Sequence, residues 1–418
     1  LKTNLEFDRP LKRIILLILL TVLVACLGLF VAVEVVPHLG ARIAGQMRAV
    51  LGPQPVARLE EIVFQIQDRV TFWQYQSGIE QARAPWESDP TAAPSQIATA
   101  METLIPTATA TPGPENHTQG QEGRPSPTVA GPTPTPTTWG LPDLEPFGEM
   151  DGEGVWQPYL HDRDGRPVAV RTFLQPDPER PYAIVAVVAF DLTRTQLHFV
   201  LGFNEPSLPG GPTGDGLIAE EHRRADLLLA AFNGGFRAAN GNFGAMADGI
   251  EALPPKEGFA TVAIYQDGDV RIGNWGEEIT ASPDLVAWRQ NCRLILQDGE
   301  ISERVYNDSI TDWGASISNE IVTRRSALGL DRDAETLYYF AGPSLSMPVL
   351  ADAMQTAGVA DGMLLDINHF WVHFTAIESQ DGELVAVPLL PDDMFDQVDR
   401  YLNASPADFF YVTLLDER

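Results

Sequence analysis

Near its C-terminal end the chain reads GMLLDINHFWVHF over residues 362–374, an apolar run broken by Asp366, Asn368, His369 and His373. A carboxylate at the end of such a run is costly to bury unless it is hydrogen-bonded or does chemistry, which makes Asp366 a candidate acid, base or nucleophile. On a helix, His369 and His373 would be an i,i+4 pair, a spacing some zinc sites use. On a strand they share one face, and Asp366 and Asn368 share the other. Zinc needs three or four ligands, and neither an HExxH motif nor a cysteine cluster is present to complete a set. No metal and no cofactor is therefore assigned, and residues 363–374 are expected to form one strand.

Two further stretches carry polar residues in unusual settings. In LLLAAFNGGFRAANGNFGAMADGIEALPP, residues 227–255, a buried strand ends in Asn233, Gly234 and Gly235. Two glycines permit positive φ and let backbone amides gather around an anion. The plainer alternative is a tight turn. The glycine-rich loop that follows adds Asn240, Asn242, Asp248 and Glu251, more polar reach than a hairpin connection requires. In TRRSALG, residues 323–329, an arginine pair precedes a short apolar strand. A guanidinium fork suits a phosphate or carboxylate, and the alternative is a surface ion pair.

The elements that would position these residues are mostly strands. Runs at residues 183–190, 197–202, 227–232, 260–265, 294–296 and 337–340 are rich in β-formers, and Asp-Gly turns at 267–268, 298–299 and 381–382 join strand pairs as hairpins. The clearest helix in this region covers residues 347–357, with Ser346 as its N-cap, Pro348 in its first turn and Gly358 at its stop. These patterns predict an α+β domain over residues 147–418, with a mixed, largely antiparallel sheet and a few packed helices.

Upstream the composition changes twice. Residues 14–36 open with IILLILLTVLVACLGLFVAV, uncharged and long enough to cross a bilayer core of roughly 30 Å. Lys12 and Arg13 place residues 1–13 on the cytoplasmic side and the main domain outside, as a single-pass membrane protein. The run LVAC ending at Cys26 also resembles a lipoprotein cleavage box, but the apolar stretch continues past it. Residues 53–76 carry Val56, Leu59, Val63, Ile66, Val70 and Trp73 at alternating spacings of three and four, either the seam of a coiled-coil homodimer or an amphipathic helix lying on the membrane or the main domain. Residues 86–146 are rich in Pro, Thr, Ala, Ser and Gly and read as a disordered linker. A net charge of −29 over 418 residues excludes nucleic acid as the main partner. Cys26 and Cys292 offer no disulfide framework.

Taken in order, AFNGGF (231–236), MADG (246–249), RSALG (325–329), GPSLS (342–346) and LLD (364–366) resemble the phosphodiester glycosidase domain family. The ordered set is more specific than any single member. The resemblance implies hydrolysis of the glycosidic bond of a sugar-1-phosphodiester on a cell-envelope or extracellular glycan. It assigns Arg325 to the phosphate with the Gly234 and Gly235 amides assisting, and Asn233 and Ser344 to substrate binding. Asp366 becomes the nucleophile or the base for water, with Asp248 or Glu251 as second carboxylate. The family commonly continues LDGGGS where this chain has LDINHF. Asn368 could replace part of the lost hydrogen bonding, and Trp371 could stack on a sugar. The competing expectation is a glycan- or phosphoglycan-binding module without turnover.

Overall fold

The computed structural model describes residues 47, 53–86, 140–307, 312–313 and 321–415. The apolar segment 14–36, residues 1–13, Cys26 and linker residues 87–139 lie outside them. Among the described residues no helix is long and apolar enough to cross a membrane.

The chain opens with α1 (Pro53–Gln76) and continues into β1 (Gln157–His161), β2 (Pro167–Leu174), β3 (Val185–Asp191), β4 (Thr195–Val200) and β5 (Leu228–Asn233). Next come β6 (Ala245–Ala247), β7 (Ile250–Leu253), β8 (Ala260–Tyr265), β9 (Val270–Asn274), β10 (Leu285–Gln290), β11 (Leu294–Gln297) and β12 (Glu300–Ile301). The C-terminal part holds β13 (Thr323–Leu330), β14 (Thr336–Leu345), α2 (Met347–Thr356), β15 (Asp361–Asp366), β16 (Phe374–Gln380), β17 (Glu383–Pro388) and β18 (Phe409–Leu414). The strands form an eight-stranded sheet ordered β1-β2-β3-β14-β13-β15-β11-β12 and two five-stranded sheets, β7-β6-β10-β8-β9 and β17-β16-β5-β18-β4. All these ladders are antiparallel, including the three Asp-Gly hairpins β8–β9, β11–β12 and β16–β17.

The inner strands of the eight-stranded sheet are buried on both faces, and this is why β3 (VAVVAFD) and the first half of β14 carry apolar runs. Along β14, Leu337, Tyr339 and Ala341 face the large core shared with the other sheets, whereas Tyr338 and Phe340 face the opposite core. That second core is covered by α2, through Met347, Leu350, Ala353 and Met354. Ser346 caps α2 by accepting from the Val349 amide, and Gly358 turns the chain at φ +88°. In the large core an aromatic group centres on Phe232, parallel to Phe374 at 5.9 Å and close to Tyr339 and Phe410.

Two boundaries differ from the sequence expectation. Residues 140–146, given to the linker for their composition, pack on the domain: Leu141 and Leu144 join the second core, and the Trp156 indole N–H donates to the Pro142 carbonyl at 2.9 Å. The single strand expected over 363–374 is two strands with a turn between them. Asp366 Oδ1 accepts from the Ile367 and Asn368 amides, and Asn368 Oδ1 accepts from that of Phe370. Two successive side chains of this type divert amides from a ladder and stop β15 at Asp366.

Helix α1 lies against the domain by an edge opposite its apolar seam. Asp68 receives Arg180 Nε at 3.0 Å on Oδ1 and Nη2 at 3.0 Å on Oδ2, and Tyr182 Oη donates to Oδ1 at 3.1 Å. Tyr75 stacks on Tyr182 with centroids 4.5 Å apart. Beyond the helix, Trp86 packs on Phe173 and takes the Arg171 guanidinium on its ring at 4.3 Å. Replacing Asp68 by Ala removes charge-assisted bonds worth about 2 kcal/mol. Trypsin cleavage at Arg69 and Arg83 should accelerate roughly 30-fold at unchanged domain Tm; unchanged cleavage would show that the contact does not hold the helix.

Candidate active site

Asn233, at the end of β5, and Asp366, at the end of β15, meet through Ser326 on β13. Ser326 Oγ accepts from Asn233 Nδ2 at 3.0 Å and from the Asp366 amide at 3.2 Å. Asn233 Nδ2 also donates to the Gly234 carbonyl, and its Oδ1 accepts from Tyr339 Oη at 3.0 Å and the His373 amide at 3.2 Å. All four of its hydrogen-bonding positions are filled, so Asn233 ties strands together. Asp366 is 5% exposed. Burial pushes its carboxyl up to about 7; the Ile367 and Asn368 amides oppose this, Asp408 adds to it and Arg289 opposes it.

Asp408 and Arg289 are the neighbours that sequence reasoning missed. Arg289 Nε donates to Asp408 Oδ2 at 2.7 Å, with both side chains essentially inaccessible. The remaining guanidinium nitrogens reach the carbonyls of Phe236, Phe243 and Gln290. Burial raises the Asp408 carboxyl above its ordinary value, opposed first by Arg289 and then by the Gly235 amide. A signal existed for each: Arg289 is a lone charge inside the apolar strand LVAWRQ, and Asp408 is a lone acid heading FFYVTL.

The pair also explains the glycines, and corrects the expected amide nest. Neither Gly234 nor Gly235 has positive φ. Their amides bind the chain's own acid, Gly234 N–H to the Asp408 carbonyl at 3.1 Å and Gly235 N–H to Asp408 Oδ2 at 3.1 Å. A Cβ on Gly234 would stand 2.1 Å from Asp408 Oδ2, and one on Gly235 2.9 Å from Arg289 Cζ. The glycines make room for an internal ion pair, and their N–H groups are not free for a substrate.

Other expected residues are placed elsewhere. Asp248 and Glu251 sit exposed on the β6–β7 hairpin, and neither perturbs Asp366; the second carboxyl here is Asp408. Arg325 is fully buried and donates to the Leu345 and Ile321 carbonyls at 2.8 and 2.9 Å, with Nη1 unpartnered. Burial lowers it to about 10, and its one electrostatic neighbour is the Cys292 thiol. It is Arg324 that reaches the Asp366 side, binding the His369 carbonyl at 3.0 Å and Asp393 Oδ1 at 2.7 Å, and acting with Asp366 on Tyr339. Asn368 lies in the turn after Asp366, and Ser344 is half-buried near the end of β14. His373 Nε2 contacts the Met394 carbonyl and burial lowers its imidazole to about 3, whereas His369 is exposed and held through its carbonyl. The site thus joins Asn233, Ser326, Asp366, Asp408, Arg289 and Arg324.

No protein-family model matches the chain, and no curated protein matches it. Among solved structures it is similar to the catalytic domain of zebrafish N-acetylglucosamine-1-phosphodiester alpha-N-acetylglucosaminidase, auto-inhibited by its pro-peptide, at 16% identity over 67% of this chain and 90% of that one, with a TM-score of 0.38. It is also similar to a hypothetical protein from Synechocystis, at 12% identity over 62% and 64% of the two chains, with a TM-score of 0.37.

Two predictions follow from burial of these charges. Asp408→Asn leaves the Arg289 guanidinium uncompensated and should cost about 3–5 kcal/mol in urea unfolding; Gly234→Ala, which displaces the same carboxylate, should cost about 3 kcal/mol. A loss under 1 kcal/mol in both would dismiss the pair as a stabilising anchor. Asp366 has a folded pKa of about 7 against 3.8 for the ordinary group. The folded state therefore keeps a proton that the unfolded chain releases between these values. Its contribution is intact below pH 4 and lost by pH 7, a fall on the order of 4 kcal/mol. Asp366→Asn should flatten this part of the stability–pH curve, and an identical curve would refute the shift.

Proposed function

We propose that this domain is a hydrolase that cleaves the glycosidic bond of a sugar-1-phosphodiester. The observation that carries the proposal is a pair of neighbouring buried carboxyls, one bonded to a guanidinium and the other only to backbone amides. Asp408 is bonded to Arg289, which opposes the upward push of burial on its carboxyl, and Asp366, without a cation bonded to it, is pushed up to about 7. A buried carboxyl that can exchange a proton near neutral pH is suited to act as a general base at a glycosidic centre. The motif order from NGGF to LLD supplies the substrate class.

In this mechanism Asp366 in its carboxylate form takes a proton from water as the water oxygen bonds to the anomeric carbon. The bond from that carbon to the phosphate oxygen breaks, and the phosphate leaves as a monoester with the bonding electrons. Such a leaving group needs little general-acid help and gains from a nearby cation. Arg324, on the Asp366 side of β13 with its Nε unpartnered, takes the role first given to Arg325. The negative charge of Asp408 raises Asp366 and so tunes the base. The apolar segment 14–36 would hold the domain on the outer face of a membrane, facing envelope or extracellular glycans.

A second reading, a phosphoglycan-binding module without turnover, draws on the closed state of the site: Asp366 is nearly inaccessible, and the turn 367–373 is braced by Arg324 and by Arg400, which donates to the Phe370 carbonyl at 2.7 Å. The test is release of reducing sugar from N-acetylglucosamine-1-phosphodiester and related sugar-1-phosphodiesters. Activity should rise with pH through about 7, and Asp366→Asn should lower kcat at least 100-fold. Equal rates for wild type and variant would remove Asp366 from the mechanism, and saturable binding without sugar release would establish the second reading.

A further inference from the structure

Helix α1 has an apolar stripe that the domain does not cover. Leu59, Ile62, Val63, Ile66, Val70 and Trp73 are between 41% and 61% exposed, while Asp68 and Tyr75 fasten the opposite edge to Arg180 and Tyr182. From Leu59 the exposed stripe runs 59, 63, 66, 70, 73; Val56 continues the register upstream but is itself buried. In heptad terms Val56, Val63 and Val70 occupy a, and Leu59, Ile66 and Trp73 occupy d. β-Branched residues at a are the pattern that favours two parallel strands. An exposed apolar stripe of this extent on a domain surface marks an interaction site.

The geometry points to a second copy of this chain as the occupant: we propose that α1 pairs in parallel with α1 of another copy, the Asp68–Arg180 contact of each copy turning its stripe outward. Three observations select this partner. The 3-4 spacing places Leu59, Val63, Ile66, Val70 and Trp73 on one seam that a second helix with the same pattern can match position by position. A chain of net charge −29, with Glu60, Glu61 and Asp68 against Arg58 and Arg69 on this helix, is poorly suited to an anionic lipid surface. The apolar segment 14–36 ends 17 residues before Pro53 in the sequence. Two copies anchored by it would share one plane and one direction, as a parallel pair requires. Under three heptads pair weakly in dilute solution, and co-anchoring would raise their effective concentration.

The test uses the full chain in phospholipid nanodiscs, in a Cys26→Ser background, since the native thiol at Cys292 is buried. Single cysteines are placed at Leu59, Ile66 or Trp73 on the seam, or at Gln65 off it, and exposed to a mild oxidant. Disulfide dimers should form at least tenfold faster at each seam position than at Gln65→Cys, and self-linking at both ends of the helix identifies a parallel pair. A Val63→Asp/Val70→Asp variant should be monomeric by mass photometry with the domain Tm retained. Equal crosslinking at all positions, or monomers throughout, would overturn the proposal. So would quenching of Trp73 by brominated lipid, which would place the stripe in the bilayer.

Discussion

The ion pair between Arg289 and Asp408 stands where the three sheets meet, and much of the site depends on it. Arg289 belongs to β10 and Asp408 immediately precedes β18, so the pair ties one five-stranded sheet to the other. Two residues beyond Arg289, Asn291 Nδ2 donates to the Leu364 and Leu365 carbonyls of β15, at 2.9 and 2.8 Å, and so reaches the eight-stranded sheet. Its Oδ1 accepts from the Phe236 amide, just past the two glycines. Removing two charges from water is expensive, and the cost is offset only where every remaining donor and acceptor is matched. Here the carbonyls of Phe236, Phe243 and Gln290 and the amide of Gly235 do that matching.

The same arrangement sets the electrostatics of Asp366. With Asp408 paired to Arg289, the cation's influence on Asp366 is partly cancelled by the acid beside it, and burial dominates. Asp366 is instead held by the two amides that follow it, which fix its position without supplying a full positive charge. A carboxyl in that condition can exchange a proton near neutral pH.

Much of the fold was legible because its signals are local. The Asp-Gly turns identified three hairpins, and Ser346, Pro348 and Gly358 marked both ends of α2 to within a residue. Asn233 and Asp366, which the structure brings together through Ser326, stand out in the sequence because each ends an apolar strand. What was misread depends on contacts distant in sequence. Arg289 and Asp408 lie 119 residues apart, and nothing local distinguishes glycines that bind a ligand from glycines that clear space for a buried ion pair. The arginine pair was misassigned for a related reason. Pairing shifts between Thr323 and Arg325, and this irregularity accompanies Arg324 turning toward His369 and Asp393 while Arg325 enters the core.

The stretch LDINHF shows how a local turn is held by distant supports. A glycine-rich turn would leave its amides available and its backbone free to adjust. Here Asp366 and Asn368 use their side chains to bind three of the following amides, Arg324 holds the His369 carbonyl, and Arg400 holds that of Phe370 while lying over its ring at 4.4 Å. Arg324 and Arg400 are themselves tied to the segment after β17, through Asp393 and through the Asp396 carbonyl. Bulky residues can occupy this turn because two cations from different parts of the chain fix its carbonyls. The turn is thus held on both sides, its amides by Asp366 and Asn368 and its carbonyls by Arg324 and Arg400.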